Sequence, residues 1–246
     1  MSGDMRRQNN RVHGYMKFSA ARQLKESRQV NMSVEGKNCE TLYFKHLSEL
    51  INTSNKNKYN LALSIKKASP IDYAQRLYYK SSDNPFFHIQ DIEDYNDQDF
   101  AKKFHGIIDE IEEAKNEFGI DYKLGYSNYT FELWILLHVA DMKASVNHRN
   151  QYLTHINNHF MKDSKNKFKD LDEYKQEKNF TNILKKYITL DSVFKAIHRA
   201  EAIVVDNKQK HQVIEYKKIK FYKENPDTSV HTVVNFILNL CGVKEG

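Results

Sequence analysis

The sequence predicts an α/β fold with a mainly parallel sheet, followed by an all-helical C-terminal extension. Up to about residue 140, short segments in which apolar and polar residues alternate are each followed by a longer segment of helical periodicity. Such alternation is typical of βαβ units, whose strands form a parallel sheet. Beyond about residue 145 helical periodicity alone is evident. We therefore divide the chain into a basic N-terminal arm (1–28), an α/β core (29–142) and a helical extension (143–246).

A first strand and a first helix are predicted between residues 29 and 51. Residues 29–34 alternate between polar and apolar side chains, which is the period of a half-buried strand. Glu35 and Gly36 follow directly and mark the end of this strand. After them the apolar side chains recur every three or four residues, as on the buried face of a helix. These side chains are Leu42, Tyr43, Leu47, Leu50 and Ile51.

Two further pairs of strand and helix follow before residue 119. Residues 61–65 alternate as a second strand, and Ser69-Pro70 then has the N-cap and first-turn residues of a helix. The short apolar run 86–89 predicts a third strand, which leads into an acidic cluster. A long amphipathic helix comes next, with apolar side chains at Phe100, Phe104, Ile107, Ile108, Ile111 and Phe118.

A fourth strand and an apolar helix complete the predicted core. Residues 122–126 alternate as a strand, and residues 131–138 are apolar along a helix. In the extension, helical periodicity favours helices at residues 146–160, 168–188, 191–206 and 228–240. Residues 208–223 are rich in lysine and form either a basic hairpin or an exposed loop.

Positive charge is concentrated at the N-terminus. Residues 1–28 hold seven Arg and Lys against two Asp and Glu, so most of the formal net charge of +6 lies there. A basic arm on a nearly neutral body can serve as a handle for nucleic acid. A solvated tail explains the same charge, and both interpretations stay open.

Cysteine usage and hydropathy predict a cytoplasmic protein with reduced thiols. Cys39 and Cys241 are too few for a disulfide framework and do not form a CxxC zinc motif. We find no apolar segment of transmembrane length and no secretory signal, so we expect no membrane association. The sequence also has no GxxxxGK[ST] loop, and we do not expect this chain to hydrolyse ATP.

Acidic residues follow two of the predicted strands. Glu35 follows the first strand, whereas Asp91, Glu93 and Asp94 follow the third. The carboxyl ends of parallel strands collect functional groups, and carboxylates in one cleft repel each other unless a cation neutralises them. Oxygen ligands suit Mg²⁺ or Mn²⁺, so we predict such an ion on these four residues. Each acid taken alone is equally well explained by a turn or a helix N-cap.

Three segments of the chain resemble the RloB-like family, which is linked to restriction and abortive-infection loci. Residues 34–44 (VEGKNCETLYF) are similar to the family's VCEGEKTEPNYF. Residues 127–138 (SNYTFELWILLH) are similar to SNPCFELWLLLHF, and residues 225–231 (NPDTSVH) to NPSTTVH. The strand followed by Glu-Gly and a helix, together with the acidic strand end, also looks like the TOPRIM fold of topoisomerases, primases and several nucleases. The resemblance therefore implies a TOPRIM-like core.

The resemblance also implies roles for single residues. Glu35 takes the position of the TOPRIM glutamate, which acts in proton transfer and can bind metal, while Asp91 and Asp94 match the first and last acids of the D-x-D-D run. Glu93 stands where the family has Asp, and Lys37 where it has Glu. Candidate substrate-binding residues are Lys37, Asn128, Glu132, His138 and His231. The structural alternatives for the last four are a turn for Asn128, a helix start for Glu132, and a core histidine and a helix cap for His138 and His231, and for both histidines the structural alternative is preferred.

The function implied is a magnesium-dependent nuclease that acts in antiphage defence and cleaves RNA such as tRNA, with Glu35 and Asp91 as catalytic residues. A DNA-cleaving nuclease of the same fold is one alternative. A non-catalytic subunit that binds nucleic acid or a partner is another, and a primase-like transferase is weaker. The resemblance further implies a separately encoded ATPase as partner, for which residues 145–240 are the expected docking surface.

Overall fold

The computed structural model describes residues 25–36, 38–77, 84–146 and 148–246. The strands among them are β1 (Ser27–Val34), β2 (Asn60–Lys67), β3 (Phe86–Asp91), β4 (Tyr122–Asn128), β5 (Ile214–Tyr216), β6 (Ile219–Phe221) and β7 (Asp227–Thr228). The helices are α1 (Cys39–Thr53), α2 (Pro70–Leu77), α3 (Gln98–Phe118), α4 (Glu132–Leu137), α5 (Tyr152–Phe160), α6 (Leu171–Tyr174), α7 (Glu177–Tyr187), α8 (Leu190–Lys210) and α9 (Val230–Leu240). None of these helices is both long and apolar enough to cross a membrane.

The main sheet has five strands in the order β2-β1-β3-β4-β7. The first four are parallel, and β7 runs antiparallel to β4. The prediction of an α/β fold with a mainly parallel sheet is therefore confirmed. Because β1 and β3 are neighbours, with Val34 opposite Ile89, their carboxyl ends lie side by side.

Two layers of helices cover the sheet. On one face, Val30, Met32 and Val34 of β1 pack into a large core with α1, α4, α8 and α9. On the other face, the aromatic side chains of β4 pack against α2 and α3. The alternation of a strand explains this division, since successive side chains point to opposite faces.

The prediction that helices alone follow residue 145 is wrong. β5 and β6 form an antiparallel hairpin, as one of the two interpretations of residues 208–223 had it. β7 joins the main sheet beside β4, and α9 packs on the same strand. These strands have only two or three residues, which is too short for an alternating pattern to be recognised in the sequence.

The helix predicted over residues 168–188 is interrupted. It consists of α6 and α7, and Lys175 and Gln176 separate them. Gln176 has an extended ψ of 133°, which ends the helical path of the backbone. As a result, Lys175 and Gln176 face the carboxyl ends of β1 and β3. The predicted basic arm, in contrast, lies outside the described residues except for its last four positions.

Candidate functional site

A cavity of about 420 Å³ opens at the carboxyl ends of β1 and β3. Five acidic side chains line it, Asp172 of α6 among them, and we call the other four the carboxylate cluster: Glu35, Glu40, Asp91 and Glu132. Glu35 follows β1, Asp91 ends β3, Glu40 lies in the first turn of α1, and Glu132 begins α4. The structure thus brings together the two residues that the sequence singled out as catalytic, with two further acids from helix N-termini.

Glu35 is held by the neighbouring strand. Its Oε2 atom accepts a hydrogen bond from the Asp91 backbone N–H at 3.1 Å and another from the side-chain amide of Gln90. Its Oε1 atom contacts the ammonium group of Lys103 on α3. The parallel pairing of β1 with β3 therefore fixes one carboxylate oxygen of Glu35 and turns the other toward an exposed lysine.

A chain of buried polar side chains leads from the middle of the sheet to Glu35. The Ser33 hydroxyl donates to His88 Nδ1 at 2.8 Å, and His88 Nε2–H donates to Gln90 Oε1 at 3.2 Å. Gln90 then donates to Glu35. Burial lowers the pKa of His88 to about 4, so its ring is neutral and can accept at one nitrogen while it donates at the other.

Glu40 is buried, with 5% of its surface exposed. Its carboxylate lies against Gly36, where a Cβ atom would overlap both carboxylate oxygens. Burial raises the pKa of Glu40 to about 7, and the neighbouring Glu132 contributes to the increase. Sequence reasoning missed Glu40, although it stands in the first turn of a helix that begins directly behind the Glu35-Gly36 pair.

Two members of the cluster have oxygen atoms without a hydrogen-bond partner. Glu132 is 1% exposed, and its Oε2 atom accepts no hydrogen bond. The Oδ1 atom of Asp91 is equally inaccessible and unpartnered. Burial raises the pKa of Asp91 well above its usual range, and the nearby Glu40 and Glu35 act in the same direction. Unpartnered buried oxygens of this kind are costly and favour binding of a cation.

Lys175 is the one described lysine that lines the cavity. Its Nζ atom lies 3.1 Å from Glu132 Oε1, and its backbone carbonyl accepts a hydrogen bond from Asn38 Nδ2. Burial acts to lower the pKa of Lys175, but the charges of Glu132, Cys39 and Asp91 and the contact with Glu132 together outweigh burial and raise it. No sequence motif marks this lysine, because its place depends on the break between α6 and α7.

The donor set fits Mg²⁺ or Mn²⁺ in its chemistry. Carboxylate oxygens are the ligands these hard cations prefer, and two of the oxygens in the cavity are unpartnered. Among the described residues, however, no group of three or more Asp, Glu, His or Cys side chains converges closely enough to hold a metal ion as it stands. Lys103 and Lys175 contact two of the four carboxylates of the cluster, through Glu35 Oε1 and Glu132 Oε1.

Two predicted metal ligands do not line the cavity. Glu93 has a positive φ of 60°, and its side chain forms an ion pair with Arg149 at 3.0 Å. Asp94 Oδ1 accepts a hydrogen bond from the Asn96 backbone N–H in a turn. After Asp91 the chain follows β4, since the N–H of Glu93 donates to the carbonyl of Tyr129, and this path carries both acids away from the cluster.

The side chains of the remaining described candidates form hydrogen bonds to backbone carbonyl groups that support the fold. Asn128 Nδ2 donates to the carbonyls of residues 222 and 223. His138 Nδ1–H donates to the Trp134 carbonyl and Nε2 accepts from a buried tyrosine, while burial lowers the pKa of His138 to about 3. His231 Nδ1–H donates to the Thr228 carbonyl. None of the three lines the cavity. Lys37 lies outside the described residues.

Comparison with known proteins gives one match. Residues 32–237 match the family model described as RloB-like protein, and this range includes the carboxylate cluster and Lys175. No curated protein and no solved structure matches the chain.

Proposed function

The chain belongs to the RloB-like family, and from this premise we propose that it is a magnesium-dependent nuclease that acts as the effector of an antiphage, abortive-infection system. The observation that carries the proposal is the carboxylate cluster, in which buried oxygens of Asp91 and Glu132 lack partners. Acids that share one cavity repel each other, so the arrangement is favourable once a divalent cation is bound. We further propose that the core is TOPRIM-like, because Glu35 and Asp91 lie at the carboxyl ends of two neighbouring parallel strands.

In this proposal, the hydrogen bonds and contacts of each residue indicate its role in catalysis. A bound Mg²⁺ would supply the positive charge that polarises a phosphodiester group. Asp91 and Glu132 offer the unpartnered oxygens that would hold the ion, with Glu40 beside them. Glu35 is the proton-transfer residue: its Oε2 atom is fixed by β3, and its Oε1 atom is the one turned toward a partly exposed lysine.

The proposed substrate is RNA, such as tRNA, in preference to DNA, and this preference rests on the family resemblance. Lys103 and Arg149 support a nucleic-acid substrate in general, because each is about half exposed and pairs with an acid at or beside the cluster. Such side chains can bind phosphate groups and release counterions from the nucleic acid. A separately encoded ATPase is the proposed partner, and this proposal rests on the family resemblance alone.

The test is cleavage of tRNA, single-stranded RNA and DNA by the full chain with Mg²⁺, alone and with the ATPase encoded beside it. We expect Asp91→Asn to lower the cleavage rate by at least about 100-fold, the size of effect typical for loss of a group that stabilises transition-state charge. Glu93→Gln is the matched control, because Glu93 lies two residues away but outside the cavity. Equal rates for Asp91→Asn and the wild type would exclude the proposed site.

A non-catalytic binding subunit is the second candidate function. One observation favours it: Lys103 and Lys175 already neutralise two of the carboxylates, and no three acids converge within the described part of the chain. The same assays separate the two functions. Nucleic-acid binding without cleavage, in the presence of the partner ATPase and of either Mg²⁺ or Mn²⁺, would support the binding subunit.

A further inference from the structure

We propose that His88 is a positioning residue of the candidate active site, and that it holds the side-chain amide of Gln90 in the one orientation that fixes the Glu35 carboxylate. The inference rests on the proposed nuclease function, in which Glu35 transfers a proton. It assigns a role to side chains that lie behind the cavity and do not line it. It follows from the order of donors and acceptors along the buried chain Ser33–His88–Gln90, from its burial, and from the atoms on which it ends.

The direction of these hydrogen bonds is set by Glu35. An ionised carboxylate offers only acceptors, so Gln90 must turn its Nε2 atom toward Glu35 Oε2 and its Oε1 atom toward His88. His88 Nε2 must then carry a proton, and the neutral ring is left with Nδ1 as an acceptor for the Ser33 hydroxyl. A ring protonated at Nδ1 would instead favour the flipped amide of Gln90, whose oxygen would face the carboxylate and repel it.

The sheet holds the members of this chain together. Ser33 and His88 are opposite each other in the parallel pairing of β1 with β3, and Gln90 follows two residues later on the same face of β3. All three residues are 2% exposed or less. Each therefore depends on the others for its hydrogen bonds, because a buried polar group without a partner is costly. A change at His88 must consequently affect the orientation of Gln90.

The chain ends on the two residues proposed as catalytic. One N–H of the Gln90 amide donates to Glu35 Oε2, and Nε2 also donates to the backbone carbonyl of Asp91 at 3.0 Å. The N–H of Asp91 donates to the same oxygen of Glu35, so Oε1 is the oxygen left for proton transfer. Apolar side chains of similar size could replace such a chain with little loss of stability. Packing of the sheet alone therefore does not require it.

The experiment compares two variants that imitate different nitrogens of the His88 ring. The amide nitrogen in His88→Gln can reach the position of Nε2 and still donate to Gln90, whereas the shorter side chain in His88→Asn reaches only the position of Nδ1. The full chain is assayed for cleavage with Mg²⁺ and the ATPase encoded beside it. We expect His88→Asn to lower kcat by about 10- to 100-fold with KM unchanged, as for loss of other groups that orient an active-site side chain. We expect His88→Gln to recover most of this loss.

His138 provides the matched control pair. It is a comparably buried histidine whose hydrogen bonds go to Tyr43 and Trp134 and not to the candidate site. We expect His138→Gln and His138→Asn to have the same kcat. Circular dichroism and thermal unfolding would verify that all four variants are folded, so that a lower kcat does not reflect a smaller folded fraction.

Nuclear magnetic resonance gives a readout that does not depend on cleavage. In the wild type we expect the proton of the His88 ring on Nε2 and slow hydrogen exchange of both side-chain amide protons of Gln90, since both are hydrogen-bonded. In His88→Asn we expect loss of this protection, because the amide of Gln90 is then free to turn. In His88→Gln we expect the protection to remain.

The outcomes separate this proposal from the proposed function. Equal kcat values for folded His88→Asn and His88→Gln, or a proton on Nδ1 of His88 in the wild type, would overturn the positioning role and leave the nuclease intact. A protected Gln90 amide in a wild type that cleaves no nucleic acid would count against the proposed function, while the hold of His88 on Gln90 would stand. Should His88→Asn fail to fold, Gln90→Met removes the same donor, and a wild-type kcat in that folded variant would equally overturn the proposal.

Discussion

At the scale of single residues, Gly36 is required by the carboxylate of Glu40. A side chain at Gly36 would overlap both carboxylate oxygens, so Gly36→Ala should push Glu40 out of the cluster. We expect Mn²⁺ affinity to fall by about 10- to 100-fold, as for loss of other groups that orient metal ligands. Calorimetric titration of the folded variant measures this change.

Gly106 on α3 provides the matched control. A Cβ atom there would meet nothing within 4 Å. Gly106→Ala should therefore leave Mn²⁺ affinity unchanged and raise the free energy of unfolding by about 0.5–1 kcal/mol, because alanine favours the helix. Equal metal affinities for Gly36→Ala and Gly106→Ala would show that the position of Glu40 does not matter for metal binding.

The buried histidines make stability depend on pH. Burial lowers the pKa of His138 to about 3, whereas an unfolded histidine has a pKa of about 6.5. As pH falls below about 6.5, His138 becomes protonated in the unfolded chain but stays neutral in the folded one. The free energy of unfolding therefore decreases. The slope from this residue is about 1.4 kcal/mol per pH unit between pH 6.5 and the folded pKa.

His138→Gln should flatten this acid limb of the stability curve, measured by urea unfolding at a series of pH values. The exposed His148 is the control, and His148→Gln should leave the limb unchanged. Parallel curves for His138→Gln and the wild type would contradict a neutral, buried His138. Asp227 acts with the opposite sign, since burial raises its pKa to about 6 and its protonation between pH 6 and 4 favours the fold.

At the scale of elements, the β5–β6 hairpin turns through two lysines with positive φ. Lys217 and Lys218 have φ values of 45° and 71°, as required for a two-residue turn that matches the twist of the strands. Non-glycine residues occupy this region at a cost. For Lys217, ion pairs with Asp109 and Glu112 on α3 compensate for this steric cost. Neither an Asn-Gly pair nor another turn signal marks the hairpin. The sequence alone was therefore equally compatible with an exposed loop.

Lys218→Gly should therefore raise the free energy of unfolding by about 0.5–1 kcal/mol, because glycine adopts positive φ without steric cost. Lys220→Gly, two residues later within β6, should lower it, since glycine weakens a strand. Thermal unfolding followed by circular dichroism compares the two. A loss of stability in Lys218→Gly would mean that the turn does not have the described backbone.

Periodicity in the sequence predicted the elements that place Glu35 and Asp91, but not those that place Glu40 and Lys175. Alternating strands of six or eight residues are visible locally, and parallel order brings their ends together. Lys175 instead depends on a break between two helices and on a contact with Asn38, 137 residues earlier in the chain. Glu93 and Asp94 do not line the cavity with Asp91, because spacing along the chain does not reveal where the backbone turns away after β3.

At the scale of the whole molecule, control of a toxic activity is the main question for the proposed function. We expect the isolated chain to be weakly active and the ATPase encoded by the neighbouring gene to bind it and stimulate cleavage. Coupling of this kind requires two states that the partner binds with different affinity. Co-purification followed by cleavage assays with and without the ATPase tests this. Full activity alone, with no detectable complex, would leave a constitutive nuclease.

The sheet is completed by the last part of the chain, and this has a consequence for synthesis on the ribosome. β7 pairs with β4 from about a hundred positions further along, and Lys175 reaches the cavity from between α6 and α7. Until the ribosome has added residues 227–240, β4 lacks this neighbour and the covering helix α9. A nascent or prematurely terminated chain would thus carry Glu35 and Asp91 without a finished sheet around them. The order of translation itself delays completion of the sheet around these acids until β7 and α9 have been synthesised.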